Sequence, residues 1–362
     1  MDRKNNFDLL RLFAASQVVW FHAINNLELR DPLPAVSSAL HLFPGVPIFF
    51  VISGYLISMS YERSRSLGEY ALNRFLRIYP ALVVCFACTL VMLTAAGVWH
   101  RIDVSPAKLL QWVAMQLTIG QFYSPHVVNQ AYGVGHTNGS LWTITVELQF
   151  YIAIPMIYLA LRRLGLAAGN ALIVLLLLAS YAFSRLWAPS SETLQTLTLV
   201  GCLQWIYMFL GGVLLQRNRE KLAPWIDGKG LYWLAAYVLA ALVGVQMGAS
   251  LGLRVNILLY VLIACTVVSL AHTGRELSER LLRRNDLSYG VYIYHMVVVN
   301  ALYETWYRGD AQLLSVVFLL TFAAAAASWR FVERPALALK RRSLRPVEPQ
   351  AESAAGARRR VT

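Results

Sequence analysis

Asp8, Arg11 and His22 stand in an otherwise apolar stretch, Phe7–Ala23, and their spacing suits chemistry. Asp8 and Arg11 are three apart, so they share a helix face and can pair. Arg11 and His22 are eleven apart, about three turns at 3.6 residues each, and lie on that face too. At 1.5 Å rise per residue the guanidinium and the imidazole stand roughly 16 Å apart along the axis. An ionisable group at membrane depth is costly and faces the protein interior, which makes it a functional candidate. The plainer account of His22 is a satisfied histidine near a helix end.

Other side chains gather on the same problem. In Asn73-Arg74-Phe75-Leu76-Arg77-Ile78-Tyr79-Pro80, Arg74 and Arg77 are three apart and present forked donors to one side, a geometry suited to phosphate oxygens. The plainer account is the positive-inside rule, and Pro80 fits a helix's first turn. Glu147 falls about seven residues into the apolar run from Ser140, roughly 10 Å below the surface. His22 reaches about 21 Å from Asp8 into a core about 30 Å thick, so carboxylate and imidazole stand at similar depth. They are expected to be partners or to serve one pocket. Gly45, Ser53 and Gly54 in the second apolar run are small enough for close helix approach, and a site role for Ser53 is the weaker reading. The tyrosines and His295 of Leu287–His295 read in large part as an interfacial aromatic belt. His100, His126 and His136 are irregularly spaced, as loop residues are. Cys85 and Cys88, like Cys202 and Cys265, fall in apolar runs without a metal-ligand pattern, so neither a metal nor a disulfide is expected.

What positions these residues is a set of long apolar helices. The chain has 362 residues, 57% hydrophobic and 14% charged, with mean hydropathy +0.51, which excludes a soluble globular domain. Runs of about 20 apolar residues recur from end to end, the length that crosses a hydrocarbon core. The pattern predicts an all-α, polytopic bundle of about ten spans: 7–27, 42–61, 78–98, 140–161, 168–187, 197–216, 230–248, 252–272, 286–304 and 311–332. The basic N-terminus resembles a signal peptide, but Arg11 interrupts the apolar run, so the first span is expected to be retained. With the N-terminus cytoplasmic, about 26 of the 32 Lys and Arg fall on the inner side. Both termini are then cytoplasmic and 99–139, with an amphipathic piece through Trp112 and Gln116, is external. A loop of that length is functional or a lid. The net charge of +13 is explained as topology and contact with anionic lipid heads, and nucleic acid is not required. Residues 1–340 form the membrane domain, and 341–362 read as a basic tail without fixed structure.

The first helix with its Arg-to-His spacing, GVPIFFVISGYLIS, NRFLRIYP, GSLWTITVELQFY, LSYGVYIYH and the closing WRFVERP together resemble the acyltransferase-3 family of bacterial membrane O-acetyltransferases of surface polysaccharides. The motifs occur in family order over almost the whole chain. The resemblance implies a multi-pass protein of the bacterial inner membrane that moves an acyl group from cytoplasmic acyl-CoA to a sugar hydroxyl of an extracytoplasmic glycan. Acetyl-CoA, or another acyl-CoA, is the donor substrate, with no metal. The acceptor is an O-antigen, lipopolysaccharide or exopolysaccharide unit, expected to be lipid-linked. The family's proposed catalytic histidine corresponds to His22, its arginine one face below to Arg11, and its Arg-x-x-Arg pair to Arg74 and Arg77. Leu9-Leu10 stand where the family usually has a small residue before the arginine, which bears on helix packing there.

The residues fit that implication. Arg11, Arg74 and Arg77 would clamp the phosphates of coenzyme A at the inner face, and the rise from Arg11 to His22 matches an extended pantetheine arm. His22 would act as general base on the acceptor hydroxyl, or take the acyl group first as a nucleophile. Glu147 would orient the imidazole, as a triad's third member does. The alternatives are a transporter or flippase of a lipid-linked glycan, for which a buried His/Arg/Glu set is a pathway, or an acyltransferase acting on a small secondary metabolite. No internal repeat supports the transporter.

Overall fold

The computed structural model describes residues 5–283, 285–306 and 309–343. Among them there are helices and turns and no strand. The principal helices are α1 (Phe7–Asn26), α2 (Gly45–Arg63), α3 (Leu67–Ala95), α4 (Trp142–Leu161), α5 (Leu166–Leu186), α6 (Ile206–Arg217), α7 (Gly230–Gln246), α8 (Ile257–Ala271), α9 (Ser288–Thr305) and α10 (Gln312–Ser328). Each expected span overlaps one of them. By length and composition, however, 6 helical stretches can cross a bilayer, or 7 if a bent pair ending in α7 is one span. The expected count of ten is not reached, for two physical reasons. The windows 197–216 and 252–272 are interrupted, by the turn Cys202–Gln204 and by the Asn256 cap, leaving helices of 12 and 15 residues. The third shortfall, α9, carries His295, Asn300 and several tyrosines, which lower its hydropathy while nearly all of it is buried.

Burial on every side marks α9 as the inner helix of the bundle. α1, α3 and α10 pack around it, α2 lies against α6, and α7 against α8. The α2–α6 contact depends on glycine. A Cβ on Gly54 would stand 1.9 Å from the Phe209 carbonyl oxygen, and one on Gly212 would stand 2.1 Å from that of Val51. The expected close approach at Gly54 is therefore real, and backbone meets backbone there.

α3 departs from expectation at its start. Ser66 caps it, accepting from the Glu69 N–H at 3.1 Å, so the helix begins well before Ile78 and Pro80 lies in its interior. Arg74 and Arg77 accordingly ride one continuous helical face. At the other end of the bundle, residues 99–139 form the helices Pro106–Leu117 and His126–Ala131. Leu93, Val98, Trp112, Val128 and Tyr132 give this loop a small core of its own. α9 holds it down: Asn300 donates to the carbonyls of His136 at 2.9 Å and Thr137 at 3.0 Å and accepts from the Val134 N–H at 2.9 Å. After α10 the chain takes a π-helical turn, Trp329–Glu333, and runs on as Arg334–Ser343. The expected basic tail lies, beyond Ser343, outside the described residues.

Candidate active site

His22 meets another histidine. Its Nδ1 stands 2.9 Å from Nε2 of His295, and the Nδ1 of His295 stands 2.6 Å from the Tyr292 carbonyl oxygen. A carbonyl only accepts, so His295 carries its proton on Nδ1. Neutral His295 then has a bare Nε2, which accepts from His22 Nδ1–H. It follows that neutral His22 keeps its own Nε2 bare, with a lone pair directed away from the pair. α1 and α9 pack along each other, and this contact fixes the imidazole's tautomer. His295 is fully buried and His22 partly so.

Three turns down α1, Arg11 joins a cluster at the other end of the membrane core. Arg11 and Arg77 converge on Asp286 Oδ2, at 3.4 Å and 2.5 Å. Arg11 also lies 3.9 Å from Asp8, as the spacing suggested. Arg77 lies 3.8 Å from Glu333, which the π-helical turn places inward. Ser288 donates to Asp286 Oδ1 at 2.6 Å. Two guanidinium groups therefore sit among three carboxylates, and the site binds them firmly. Arg74 is differently placed. It donates to Ser60 Oγ at 3.1 Å, its guanidinium lies over the Tyr151 ring, 5.5 Å from the centroid, and its buried Nε has no partner.

Arg11, Arg77 and Glu147 line one cavity, together with Ser53, Tyr151 and Tyr292. Its free volume is about 40 Å³, room for a few waters, so a thioester arm enters only as side chains turn aside. Glu147 Oε1 accepts from Tyr151 OH at 2.9 Å and Ser53 Oγ at 3.2 Å. The structure brings Glu147 to the arginine cavity, and His22 gives its hydrogen bond to His295 instead. The link between the two places is Tyr292, whose ring faces the cavity and whose carbonyl holds His295.

Of the residues singled out in the sequence, Arg11, Arg77 and Glu147 share a cavity, Arg74 stands beside it on Tyr151, and His22 lies along α1 at the imidazole pair. Ser53 belongs to the cavity rather than to packing alone. Sequence reasoning gave His295 largely to an aromatic belt and missed Asp286 and Glu333. The signal for His295 was present: a histidine inside an apolar run meets the same criterion that selected His22. Among the described residues no group of three His, Cys, Asp or Glu could hold a metal ion, and the cysteines are free.

These features have relatives. The acyltransferase domain family matches residues 4–332, and the chain belongs to that family. It is 35% identical over 356 residues to nodulation protein 10 of Rhizobium leguminosarum bv. viciae, covering 93% of this chain and 94% of that protein. It is 28% identical over 355 residues to the O-acetyl transferase of Shigella phage Sf6, covering 92% and 96%. With the putative peptidoglycan O-acetyltransferase YrhL of Bacillus subtilis it shares 25% identity over 363 residues, 91% of this chain and 54% of that one. No solved structure matches. The protein is thus a membrane acyltransferase by family, an all-helical chain with several apolar helices long enough to cross a bilayer.

Proposed function

We propose that the protein transfers an acyl group, in the first instance acetyl, from acyl-CoA on the cytoplasmic side to a hydroxyl of a surface glycan on the far side of the bacterial inner membrane. The observation that carries this reading is the bare Nε2 of His22, held by His295 three turns from the arginine cluster. An acceptor hydroxyl gives its proton to His22 Nε2 as its oxygen bonds to the thioester carbonyl carbon. The C–S bond then breaks, and the coenzyme A thiolate takes the proton from His22. The resulting ester and free thiol balance the reaction. His295 accepts from His22 Nδ1 throughout and so steadies the imidazolium, a role usually given to a carboxylate.

Arg74 is the clamp residue best placed to meet a phosphate, because no carboxylate pairs with it among the described residues. Arg11 and Arg77 wall the cavity through which the pantetheine arm passes, and Glu147 holds Tyr151 and Ser53 in that wall. The acceptor's identity as a glycan draws on the relatives that are named O-acetyltransferases. The test uses purified full-length protein in nanodiscs with acetyl-labelled acetyl-CoA and a bacterial surface-glycan extract. Label moving to ester-linked, base-labile acetyl on the glycan is the expected result. Thioester that stays intact with every extract, while glycan crosses the bilayer in proteoliposomes, would establish the flippase reading in its place.

A further inference from the structure

Beneath the loop at the end of the bundle opposite the arginine cluster lies a second cavity, of about 270 Å³. That is close to the lower end of small-molecule sites, about 300–1,000 Å³. Three properties define what it can hold. First, no Asp, Glu, Lys or Arg lines it, and its one ionisable nitrogen group is His136 at the mouth, so its interior offers no fixed charge to a phosphate, a carboxylate or an ammonium group. Second, Trp112 and Trp142 present aromatic surface, which suits the apolar face of a ring. Third, two buried polar atoms in its wall have no partner: Trp112 Nε1 and Gln116 Oε1. Their residues are only 1% and 4% exposed. The amide orientation of Gln116 is settled by its neighbours, since Nε2 donates to the carbonyls of Gln121 at 3.0 Å and Tyr123 at 3.1 Å. Its Oε1 is therefore an open acceptor, and Trp112 Nε1 is an open donor. Buried polar groups are rarely left without partners. A hydroxyl both donates and accepts, so adjacent hydroxyls answer both atoms.

The cavity also adjoins the imidazole pair through the backbone. Asn138, in its wall, donates to the Ile293 carbonyl at 2.8 Å, one residue from the carbonyl that holds His295. His136 and Thr196 at its mouth are exposed. We propose that this cavity is the acceptor subsite and that it takes one uncharged, hydroxyl-rich ring, a neutral sugar unit. The inference rests on the transferase reading for its purpose but on the cavity alone for its ligand chemistry, and the experiment separates the two.

Thr196→Cys in the full chain puts a thiol at the mouth, where Thr196 is exposed. In nanodiscs, the rate of maleimide labelling there is measured against the unsubstituted protein, with maltotriose, cellotriose or chitotriose as neutral probes and trigalacturonate as the charged one. At least one neutral trisaccharide slows labelling and the charged one does not. Adding Trp112→Phe, which keeps an aromatic ring and removes the donor, raises the half-protecting concentration about tenfold. No protection by any neutral sugar, or equal protection by the charged one, overturns the assignment. If acetyl-CoA is still cleaved in that case, the transferase reading survives it. Conversely, neutral-sugar protection weakened by Trp112→Phe in a protein that never cleaves acetyl-CoA upholds the subsite and removes the transferase.

Discussion

At one end of the bundle Arg11 and Arg77 converge on Asp286, with Asp8 and Glu333 close by. At the other end Trp112 Nε1 and Gln116 Oε1, buried atoms of residues that line a cavity, have no partner, and between the ends His22 keeps a bare Nε2. The first region pairs its charges within the cluster, and among the described residues Glu333 Oε2 is its one buried carboxylate oxygen without a hydrogen bond. The other two hold polar atoms that the fold itself leaves open. Both arrangements are expensive in a membrane protein, but for different ends: matched charges position helices, and open ones await a ligand or a proton. The contrast is sharpest where a residue is removed, because loss of a matched group destabilises and loss of an open one disables.

The largest effect belongs to His22. His22→Gln retains a hydrogen-bonding side chain but cannot take a proton near neutrality. Turnover of acetyl-CoA should fall by about a hundredfold to ten-thousandfold, the range of general base catalysis. Binding of acetyl-CoA, read by calorimetry, should be unchanged, since the transition state alone loses an interaction. A well-folded His22→Gln protein with normal turnover would place the open lone pair outside the mechanism. His295→Ala tests the same arm through the positioning residue: kcat falls, by less than in His22→Gln, while the dissociation constant for acetyl-CoA holds.

Next comes the matched region. Asp286→Ala leaves two buried guanidinium groups without their shared carboxylate. Removing one partner of a buried pair costs about 3–5 kcal/mol, so the thermal unfolding midpoint should drop sharply and activity should fall only in step with folded protein. Asp286→Ala with an unchanged midpoint and lost acetyl-CoA binding would move the cluster into the open class.

Which of these features could be read from residues alone follows the same division. Arg11, His22 and the helical face that joins them come from local spacing, and so does the α2 contact at Gly54. The amphipathic piece in the loop also proved to be a helix, with Trp112 and Gln116 buried. What spacing could not supply was azimuth. Depth alone paired His22 with Glu147, but two groups at one level in a bilayer can face different helices, and α9 brought His295 instead. Asp286 was invisible because it is 275 residues from Arg11 and looks like an ordinary acid at the edge of a span. Glu333 needed a π-helical turn, which no hydropathy pattern encodes. Pro80 was taken for a helix start because proline favours that place, although the Ser66 cap lies upstream. The spans at 197–216 and 252–272 were counted by apolar length, which does not see a cap or a turn within the run.

The two sides of the bundle also carry a prediction about reagent access. Cysteine at exposed His126, the first residue of the helix His126–Ala131, and cysteine at Arg65, in the exposed turn before α3, should label from opposite faces of sealed cells. Labelling of both from one face would put the arginine cluster and the second cavity on the same side, and a donor and an acceptor entering from opposite sides would lose their basis.

The smallest effect separates two arginines that the sequence could not tell apart. Arg74 and Arg77 lie three apart on one face of α3, and the positive-inside rule accounts for both equally. Arg77 is matched to Asp286 and Glu333, whereas Arg74 has one hydroxyl, one aromatic ring and an unpartnered Nε. A charge-assisted contact to a phosphate is worth about 1.5–3 kcal/mol, so Arg74→Ala should weaken acetyl-CoA binding about 10-fold to 150-fold. Its unfolding midpoint should fall less than that of Arg77→Ala, because it gives up one bond from a charged donor to Ser60, worth about 1.5–3 kcal/mol, whereas breaking a buried ion pair costs about 3–5 kcal/mol. Arg77→Ala should do the reverse, lowering the midpoint much as Asp286→Ala does. Arg74→Lys gives the finest discrimination. It keeps the charge but loses the fork and the flat face over Tyr151, so part of the affinity returns if charge is what matters and none if the fork is. Equal losses of affinity in Arg74→Ala and Arg77→Ala would mean that matched and open guanidinium groups serve the donor alike.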